Sequence, residues 1–149
     1  MSFHCQICER EIKATTGVIA HHGYTRPGWG QQTRSCDGAR ELPYEVSRDA
    51  IKPAINGLRI FLGNQKSRLQ EYLEAPEKIT RRSAYFAPVV YGRPEGFDVE
   101  KTLAYGSFNP STYAGTLVSI VYDLNKMIKE IDREIDRLQA RYDNWVKAA

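Results

Sequence analysis

The stretches HCQIC (residues 4–8) and VIAHHGYTRPGWGQQTRSCDGAR (residues 18–40) contain all three cysteines and all three histidines of the chain. Two residues separate Cys5 from Cys8. Thirteen residues lie between Cys8 and His22, and thirteen more lie between His22 and Cys36. Because three thiolates and one imidazole are a common tetrahedral ligand set for zinc, this spacing predicts a Cys₃His site. The candidate ligands are Cys5, Cys8, His22 and Cys36. Four protein ligands leave no open coordination position, so the sequence predicts a structural ion.

Two other interpretations of these residues are a redox pair and ordinary buried cysteines. A redox Cys-x-x-Cys motif is expected beside a thioredoxin-like strand and helix, whereas the flanks here are polar and rich in turn residues. Clustering of cysteine and histidine in the first quarter of the chain is unlike the distribution of core residues. In an extended strand, His21 and His22 would point to opposite faces, so only one of them is expected to reach the ion.

Turn residues between the candidate ligands provide the reversals that a compact site needs. Thr16 and Gly17 predict a short hairpin, and residues 26–30 (RPGWG) predict a wider loop. We therefore expect a knuckle followed by two short strands and a loop.

The order of motifs over residues 5–48 resembles a family of uncharacterised bacterial and phage-type proteins with a zinc-ribbon-like N-terminus. The motifs are Cys-x-x-Cys, His-Gly-Tyr, a loop rich in proline and glycine, Ser-Cys-Asp-Gly-Ala-Arg and Leu-Pro-Tyr-Glu. The resemblance implies a metal site and no catalytic activity. It also favours His22, which directly precedes Gly-Tyr, as the imidazole ligand.

The composition is that of a soluble protein, with 26% charged and 42% hydrophobic residues among 149. No apolar run approaches the roughly 20 residues that a membrane span requires. An odd number of cysteines fits a reducing compartment better than a disulfide framework. We therefore predict a cytoplasmic protein without a membrane partner.

The net charge is only +3, so the position of the basic residues matters more than their number. Residues 52–82 contain seven basic and three acidic side chains, and further arginines lie just upstream. The sequence predicts a surface that binds nucleic acid, although a solvated helix face would look the same. The residues assigned to phosphate contacts are Arg34, Arg40, Arg48, Lys52 and Arg59.

Two long helices are predicted from apolar residues that alternate at intervals of four and three. The first covers residues 48–74, with Ser47 as N-cap, and its seam is Ile51, Ile55, Leu58, Leu62, Gln65, Leu69 and Tyr72. The second covers residues 111–146, with Ser111 as N-cap, and its seam is Leu117, Val121, Leu124, Ile128, Ile131, Ile135, Leu138, Tyr142 and Trp145. Exposed positions of the second helix are expected to carry Arg133, Arg137 and Arg141 in pairs with glutamates.

The predicted fold is mainly α, with a small zinc-binding β module at residues 1–46 and an antiparallel long-helix hairpin at residues 47–149. Gly57 and Gly63 lower helix propensity and suggest close approach by another element. Residues 77–110 are rich in aromatic and turn residues, so we expect an ordered excursion that packs on the helices, with a short strand near residues 85–91. The aromatic rings there could stack on bases, but core packing is the commoner role.

No catalytic constellation is evident, so the leading hypothesis is a non-enzymatic zinc-binding protein of the phage or mobile-element type. It would bind nucleic acid or a nucleic-acid-processing protein. A second hypothesis is an interaction factor that dimerises through helices 48–74 and 111–146, or that inhibits a host defence enzyme. A third is a histidine-metal finger nuclease with His21 as base, although such nucleases need a second metal-binding His or Asn on a following helix and Cys36-Asp37-Gly38 offers only a carboxylate.

Overall fold

The computed structural model describes residues 2–14, 17–23, 35–82, 86–106 and 109–147. The elements, in chain order, are β1 (Ser2–His4), β2 (Glu11–Lys13), α1 (Ile51–Leu73), β3 (Lys78–Arg81), β4 (Val89–Gly92), α2 (Val99–Tyr105) and α3 (Tyr113–Asp143). The strands form two antiparallel pairs, β1 with β2 and β3 with β4. A mainly helical fold with strands and a Cys/His cluster near the N-terminus is thereby confirmed. No helix in the described part of the chain is long and apolar enough to cross a membrane.

The chain forms two compact units. Unit 1 contains residues 1–60 and 133–149, and unit 2 contains residues 61–132. Each of the two long helices contributes one part to each unit. The predicted domain boundary between residues 46 and 47 and the antiparallel helix hairpin both stay predictions.

Both long helices begin two or three residues later than the sequence predicted. The side chain of Ser47 accepts a hydrogen bond from the Asp49 amide (3.0 Å), so it caps a turn ahead of α1. At the start of α3, Thr112 is the N-cap because its hydroxyl oxygen accepts a hydrogen bond from the Gly115 amide (3.1 Å). Ser111 instead donates its own amide to the Asn109 side chain.

The predicted apolar seams are the buried faces of the long helices. Every seam position is buried or half-buried, including the one polar position, Gln65, which is 4% exposed. The side-chain oxygen of Gln65 accepts a hydrogen bond from Arg68, which satisfies part of its buried amide. The alternation of apolar residues therefore located both helix faces correctly.

Unit 2 has its own core, which the aromatic segment helps to build. The core consists of Ile79, Tyr113, Leu117 and Val121, with Leu69, Tyr72, Tyr91, Phe97, Val99 and Leu103 packed against it. Phe97 meets Tyr113 edge to face, with ring centroids 4.9 Å apart. The Tyr113 hydroxyl donates to the Pro76 carbonyl (2.5 Å), so its polar end is paired.

Local structure within residues 77–110 differs from the prediction in detail. The strand near residues 85–91 is β4 and starts at Val89, while β3 and α2 were not predicted. In β4, Tyr91 pairs with Ile79 and Val90 with Thr80. The side chain of Asp98 caps α2 by accepting a hydrogen bond from the Lys101 amide. Tyr85 and Phe108, which belonged to the predicted aromatic set, lie outside the described residues.

The close approach predicted at Gly57 and Gly63 is wrong. A Cβ added at either position would have nothing within 4 Å in the described structure. The glycine that is sterically required lies in α3, where a Cβ at Gly115 would collide with the backbone carbonyl of Asn109. Low helix propensity alone did not distinguish these cases, because all three glycines are helical.

Alanine substitutions in unit 2 should therefore have opposite effects at two helical glycines. We expect Gly63→Ala to raise the free energy of unfolding by about 0.5–1 kcal/mol, since alanine fixes less backbone entropy on folding. Gly115→Ala should lower it by about 1–3 kcal/mol, because the new methyl group displaces the Asn109 backbone. Chemical denaturation followed by far-UV circular dichroism measures both. Equal effects of the two substitutions would contradict this account of Gly115.

Candidate metal centre

The first pair of cysteines lies in the turn that joins β1 to β2. Phe3 pairs with Ile12 and His4 with Glu11, so the chain reverses over Cys5 to Arg10. The Cys5 amide donates to the Arg10 carbonyl (3.0 Å) and closes the reversal. The Ile7 amide lies 3.4 Å from Cys5 Sγ and points its N–H at the sulfur. The order differs from the prediction, because in the described part of residues 1–46 one strand precedes the knuckle and one follows it.

The remaining two ligands are brought together by backbone hydrogen bonds within residues 18–40. Ala14 forms an isolated antiparallel bridge with Ile19, which is fully buried. The Cys36 amide donates to the His22 carbonyl (2.9 Å), so these residues are adjacent despite their separation in sequence. A second turn follows at Cys36, where the Ala39 amide donates to the Cys36 carbonyl (2.9 Å). The predicted loop over residues 26–30 and Thr16 of the predicted hairpin lie outside the described residues.

Four donor atoms converge at this point. The side chains of Cys5, Cys8, His22 and Cys36 each offer one ligand atom, and these atoms all lie within 4.8 Å of one another. Cys5 Sγ lies 3.9 Å from Cys36 Sγ, and Cys8 Sγ lies 3.2 Å from His22 Nε2. Zinc–sulfur bonds of about 2.3 Å in a tetrahedron place two sulfurs about 3.8 Å apart. The spacing therefore fits a single ion held by all four residues.

The hydrogen bond of His22 determines which ring nitrogen faces the cluster. His22 Nδ1 lies 2.8 Å from the Ala20 carbonyl, which can only accept, so Nδ1 carries the proton. The lone pair of Nε2 is then free to bind a metal, and the carbonyl fixes the ring orientation. The cluster contains His22 and not His21, as the sequence favoured.

His21 lies outside the cluster, on an exposed part of the same segment. Arg40 Nε donates to His21 Nε2 (2.8 Å), and His21 Nδ1 lies 3.2 Å from Ser35 Oγ. Ser35 Oγ in turn donates to the His22 carbonyl (3.0 Å). Both ring nitrogens of His21, the residue assigned as base in the nuclease hypothesis, thus already have partners.

A glycine beside the cluster shows that the space around the sulfurs is filled. Gly38 is buried two residues after Cys36, and a Cβ at this position would collide with Cys5 Sγ. The backbone here approaches the sulfur more closely than any other residue type allows. The tight turn after Cys36 and the four-donor set both fit a bound metal ion.

Without a cation, this arrangement disfavours thiolates. Burial raises the pKa of the Cys5 thiol, and burial together with the neighbouring cysteines raises the pKa of Cys36 to about 12. Hydrogen bonds from backbone amides act in the opposite direction but do not outweigh burial. A metal ion would supply the missing positive charge and displace the thiol protons.

Two arginines of α3 hold the backbone of the first knuckle, a role that the sequence did not predict. Arg141 Nε donates to the Gln6 carbonyl (2.9 Å) and Arg141 Nη2 to the Cys5 carbonyl (3.0 Å). Arg137 Nη2 donates to the Ile7 carbonyl (2.6 Å), and its guanidinium also pairs with Glu9 and Glu134. The expectation that Arg137 and Arg141 would be solvent-exposed is wrong, since their side chains are 35% and 14% exposed.

Arg141 controls the direction of an amide that points at a metal ligand. The Gln6 carbonyl and the Ile7 N–H belong to one trans peptide unit, so they point in opposite directions. Because Arg141 binds the carbonyl on one side, the N–H is directed at Cys5 Sγ on the other. The Arg141 guanidinium is itself stacked 3.6 Å from the centroid of Tyr44, whose hydroxyl donates to the Arg141 carbonyl.

Gln6 is the other residue of the knuckle that sequence reasoning missed. Its side chain is 1% exposed and bridges two backbone groups of the following segment. Gln6 Nε2 donates to the Leu42 carbonyl (2.7 Å), and the Ala50 amide donates to Gln6 Oε1 (2.9 Å). A polar residue between two cysteines carries no sequence signal for such a role, because it would equally suit an exposed turn.

The basic residues assigned to phosphate contacts are not gathered on one free surface. Arg48 Nη1 donates to the Tyr142 carbonyl (2.6 Å), and its guanidinium lies 4.0 Å from the centroid of the Tyr142 ring. Lys52 Nζ lies 4.8 Å from the same centroid. Arg40 is engaged with His21, and Arg34 lies outside the described residues. Arg59 is exposed, so the nucleic-acid role of this set stays a prediction.

No protein-family model matches the sequence, and no curated protein or solved structure is significantly similar to it. The resemblance to a phage-type family therefore stays a prediction, and the function must be argued from the molecule itself.

Substitution of the ligands should separate His22 from its neighbour. We expect Cys36→Ser and His22→Ala to reduce the bound metal well below one ion per chain and to lower the melting temperature, because each removes one of four donors. His21→Ala should keep one ion, since its ring faces Ser35 and Arg40. Elemental analysis of the purified proteins measures metal content directly. Loss of the ion from His21→Ala with retention in His22→Ala would show that the ligand set is wrong.

The role assigned to Arg141 predicts a metal-affinity effect from a residue that touches no metal. Arg141→Lys keeps the charge but loses the two-pronged contact with the carbonyls of Cys5 and Gln6, so metal affinity should fall about tenfold. Competition with a chromophoric chelator measures the affinity. Arg133→Lys, on an exposed turn of the same helix, is the matched control and should leave it unchanged. Equal affinities of the two variants would remove Arg141 from the metal centre.

Proposed function

We propose that the chain is a non-enzymatic zinc-binding protein of the phage or mobile-element type that binds nucleic acid or a nucleic-acid-processing protein. The observation that carries the metal part is the convergence of Cys5, Cys8, His22 and Cys36 within 4.8 Å. Three thiolates and an imidazole in a tetrahedral arrangement are typical of zinc. Zinc here would be structural, because four protein ligands complete its coordination shell.

The metal would act on folding rather than on a reaction. In this proposal, the ion fixes the N-terminal segment, whose described apolar core is small and whose backbone is held by the arginines of α3. The two long helices, proposed to run antiparallel as a hairpin, then present side chains to a partner. A chelator should destabilise this end of the protein first.

Charge distribution supports a polyanionic partner. Basic side chains outnumber acidic ones by seven to three over residues 52–82, while the chain as a whole carries only +3. Several of these cations, including Arg59 and Lys66 on α1, are exposed. Contacts from such groups to phosphates release counterions, so binding would weaken steeply as salt is added.

A specific observation favours a second candidate, a protein-interaction factor. Ile60 and Phe61 are adjacent on α1 and are 68% and 46% exposed. Large apolar side chains that are exposed on a helix suit contact with another protein or with a second copy of this chain. In this candidate, the exposed part of α1 would dimerise or bind a host enzyme.

Electrophoretic mobility shift at increasing salt distinguishes these candidates. If the chain binds nucleic acid, mixed-sequence DNA or RNA should shift at low salt, and the affinity should fall linearly with the logarithm of salt concentration. Light scattering on the same sample gives the oligomeric state. Unchanged mobility at low salt, together with a stable dimer that Phe61→Glu dissociates, would replace the first candidate by the second.

A further inference from the structure

A cavity of about 550 Å³ in unit 2 is lined by cationic side chains and by apolar ones, and we call the apolar part of the lining its floor. Arg68 of α1, Lys78 of β3 and Arg82, directly after β3, provide the charge. Tyr72, Ile79 and Ile120 line the same cavity, with Thr80 as a neutral donor. None of the described residues that line it is a carboxylate. A site of this composition suits an anion that also carries an apolar surface.

The alternation of β3 places Lys78 and Thr80 on the face opposite the buried Ile79. Ile79 is buried in the core of unit 2, whereas Lys78 and Thr80 are exposed. Residues two apart in a strand point to the same side and lie about 6.6–6.8 Å apart. Arg82 continues this alternation past the end of the strand and is exposed as well. The two cations and the hydroxyl therefore form a row along one edge of the cavity.

These cations are available because other arginines perform the internal roles. The side chains of Lys78 and Arg82 form no hydrogen bond or ion pair with any other described residue, and the Arg68 side chain donates a hydrogen bond to Gln65. In contrast, Arg81 donates to the Pro110 carbonyl (3.1 Å) and Arg93 to the Ala75 carbonyl (2.6 Å). Unit 2 thus separates the arginines that hold its backbone from the cations that surround the cavity.

We propose that this cavity binds single-stranded nucleic acid, with Arg68, Lys78 and Arg82 on phosphates and the floor beneath a base. The proposal rests on the nucleic-acid function proposed above and moves the contact surface away from Arg48 and Lys52. Proteins that bind single strands combine a cationic groove with aromatic or apolar surfaces on which bases stack. Tyr72 lies in the cavity, and Phe86 near β4 is 74% exposed. A duplex would keep its bases away from such a floor.

An acidic residue marks the end of the proposed surface. A smaller adjoining cavity of about 170 Å³ shares Thr80, Arg82 and Ile120 with the first and is also lined by Asp123. A carboxylate at this point repels phosphate, so the strand would pass over Arg68 and Lys78 rather than toward Asp123. Asp123→Asn removes the repulsion and should strengthen binding of the strand.

The test compares two triple variants that lose the same charge. The groove variant is Arg68→Gln/Lys78→Gln/Arg82→Gln, and the control is Lys101→Gln/Lys126→Gln/Lys129→Gln, whose lysines are exposed on helices of the same unit. Fluorescence anisotropy with a labelled mixed-sequence single-stranded DNA measures affinity over a salt series. Three lost phosphate contacts should reduce the salt slope by about two and weaken binding at low salt about tenfold or more. The control should change both quantities much less.

The outcomes separate this proposal from the one on which it rests. Equal losses in the groove and control variants, with both folded by circular dichroism, would overturn the groove while nucleic-acid binding stands. No binding of single-stranded DNA, duplex DNA or RNA by the unmodified chain would overturn both. Tighter binding of duplex than of single strand would overturn the single-strand assignment. The same conclusion would follow if ATP displaced the strand at an ATP concentration below the total concentration of nucleotides in the strand.

Discussion

Three thiol sulfurs and one imidazole nitrogen within 4.8 Å are the arrangement on which the N-terminal part of this protein depends. Burial makes thiolates unfavourable there, and Gly38 leaves no room between the Cys36 turn and Cys5 Sγ. A bound cation would offset the cost of burying three thiolates, because its positive charge attracts sulfurs that otherwise repel one another. Binding free energies on the order of 10 kcal/mol are available from such sites. That is enough to fold a segment whose fully buried apolar side chains are few.

The same constraint extends to residues far away in sequence. A hydrogen bond from a backbone N–H to sulfur stabilises the thiolate, but the amide must be held in the right direction. In the turn that contains Cys5 and Cys8, Arg141 holds the Ile7 amide in this direction, because it binds the Gln6 carbonyl of the same peptide unit. Tyr44 and Trp145 complete the connection, since Trp145 Nε1 donates to the Tyr44 carbonyl (2.5 Å). Arg137 and Arg141 donate to the backbone carbonyls of residues 5–7, and residues 5–8 and the end of α3 accordingly belong to the same unit.

Sequence patterns predicted features that depend on local spacing and missed those that depend on long-range contacts. The candidate metal ligands follow from spacing such as that of Cys8 and His22, and the buried helix faces from spacing such as that of Leu117 and Val121. Arg141 could not be identified in this way, because an arginine that binds distant carbonyls has the same local sequence as one that pairs with a nearby glutamate. The prediction for Gly57 was wrong for a related reason. The low helix propensity of glycine predicts a loss of helix stability, but it does not show whether a side chain at that position would contact another element. The strand β3 is short, and its sequence contains a single apolar residue, Ile79, so it has no repeat of apolar residues that would predict a strand.

The way in which the fold distributes its arginines bears most directly on function. The net charge of +3 does not show which cations can contact a partner, because arginines that donate to backbone carbonyls are held in place by the fold. Arg48, Arg93, Arg137 and Arg141 belong to this structural set. Once they are set aside, three exposed cations of unit 2, Arg68, Lys78 and Arg82, line one cavity, and the carboxylate of Asp123 lines the adjoining one. A polyanion approaching the protein responds to this local field and not to the net charge, since separations beyond about 10 Å are screened at ordinary salt.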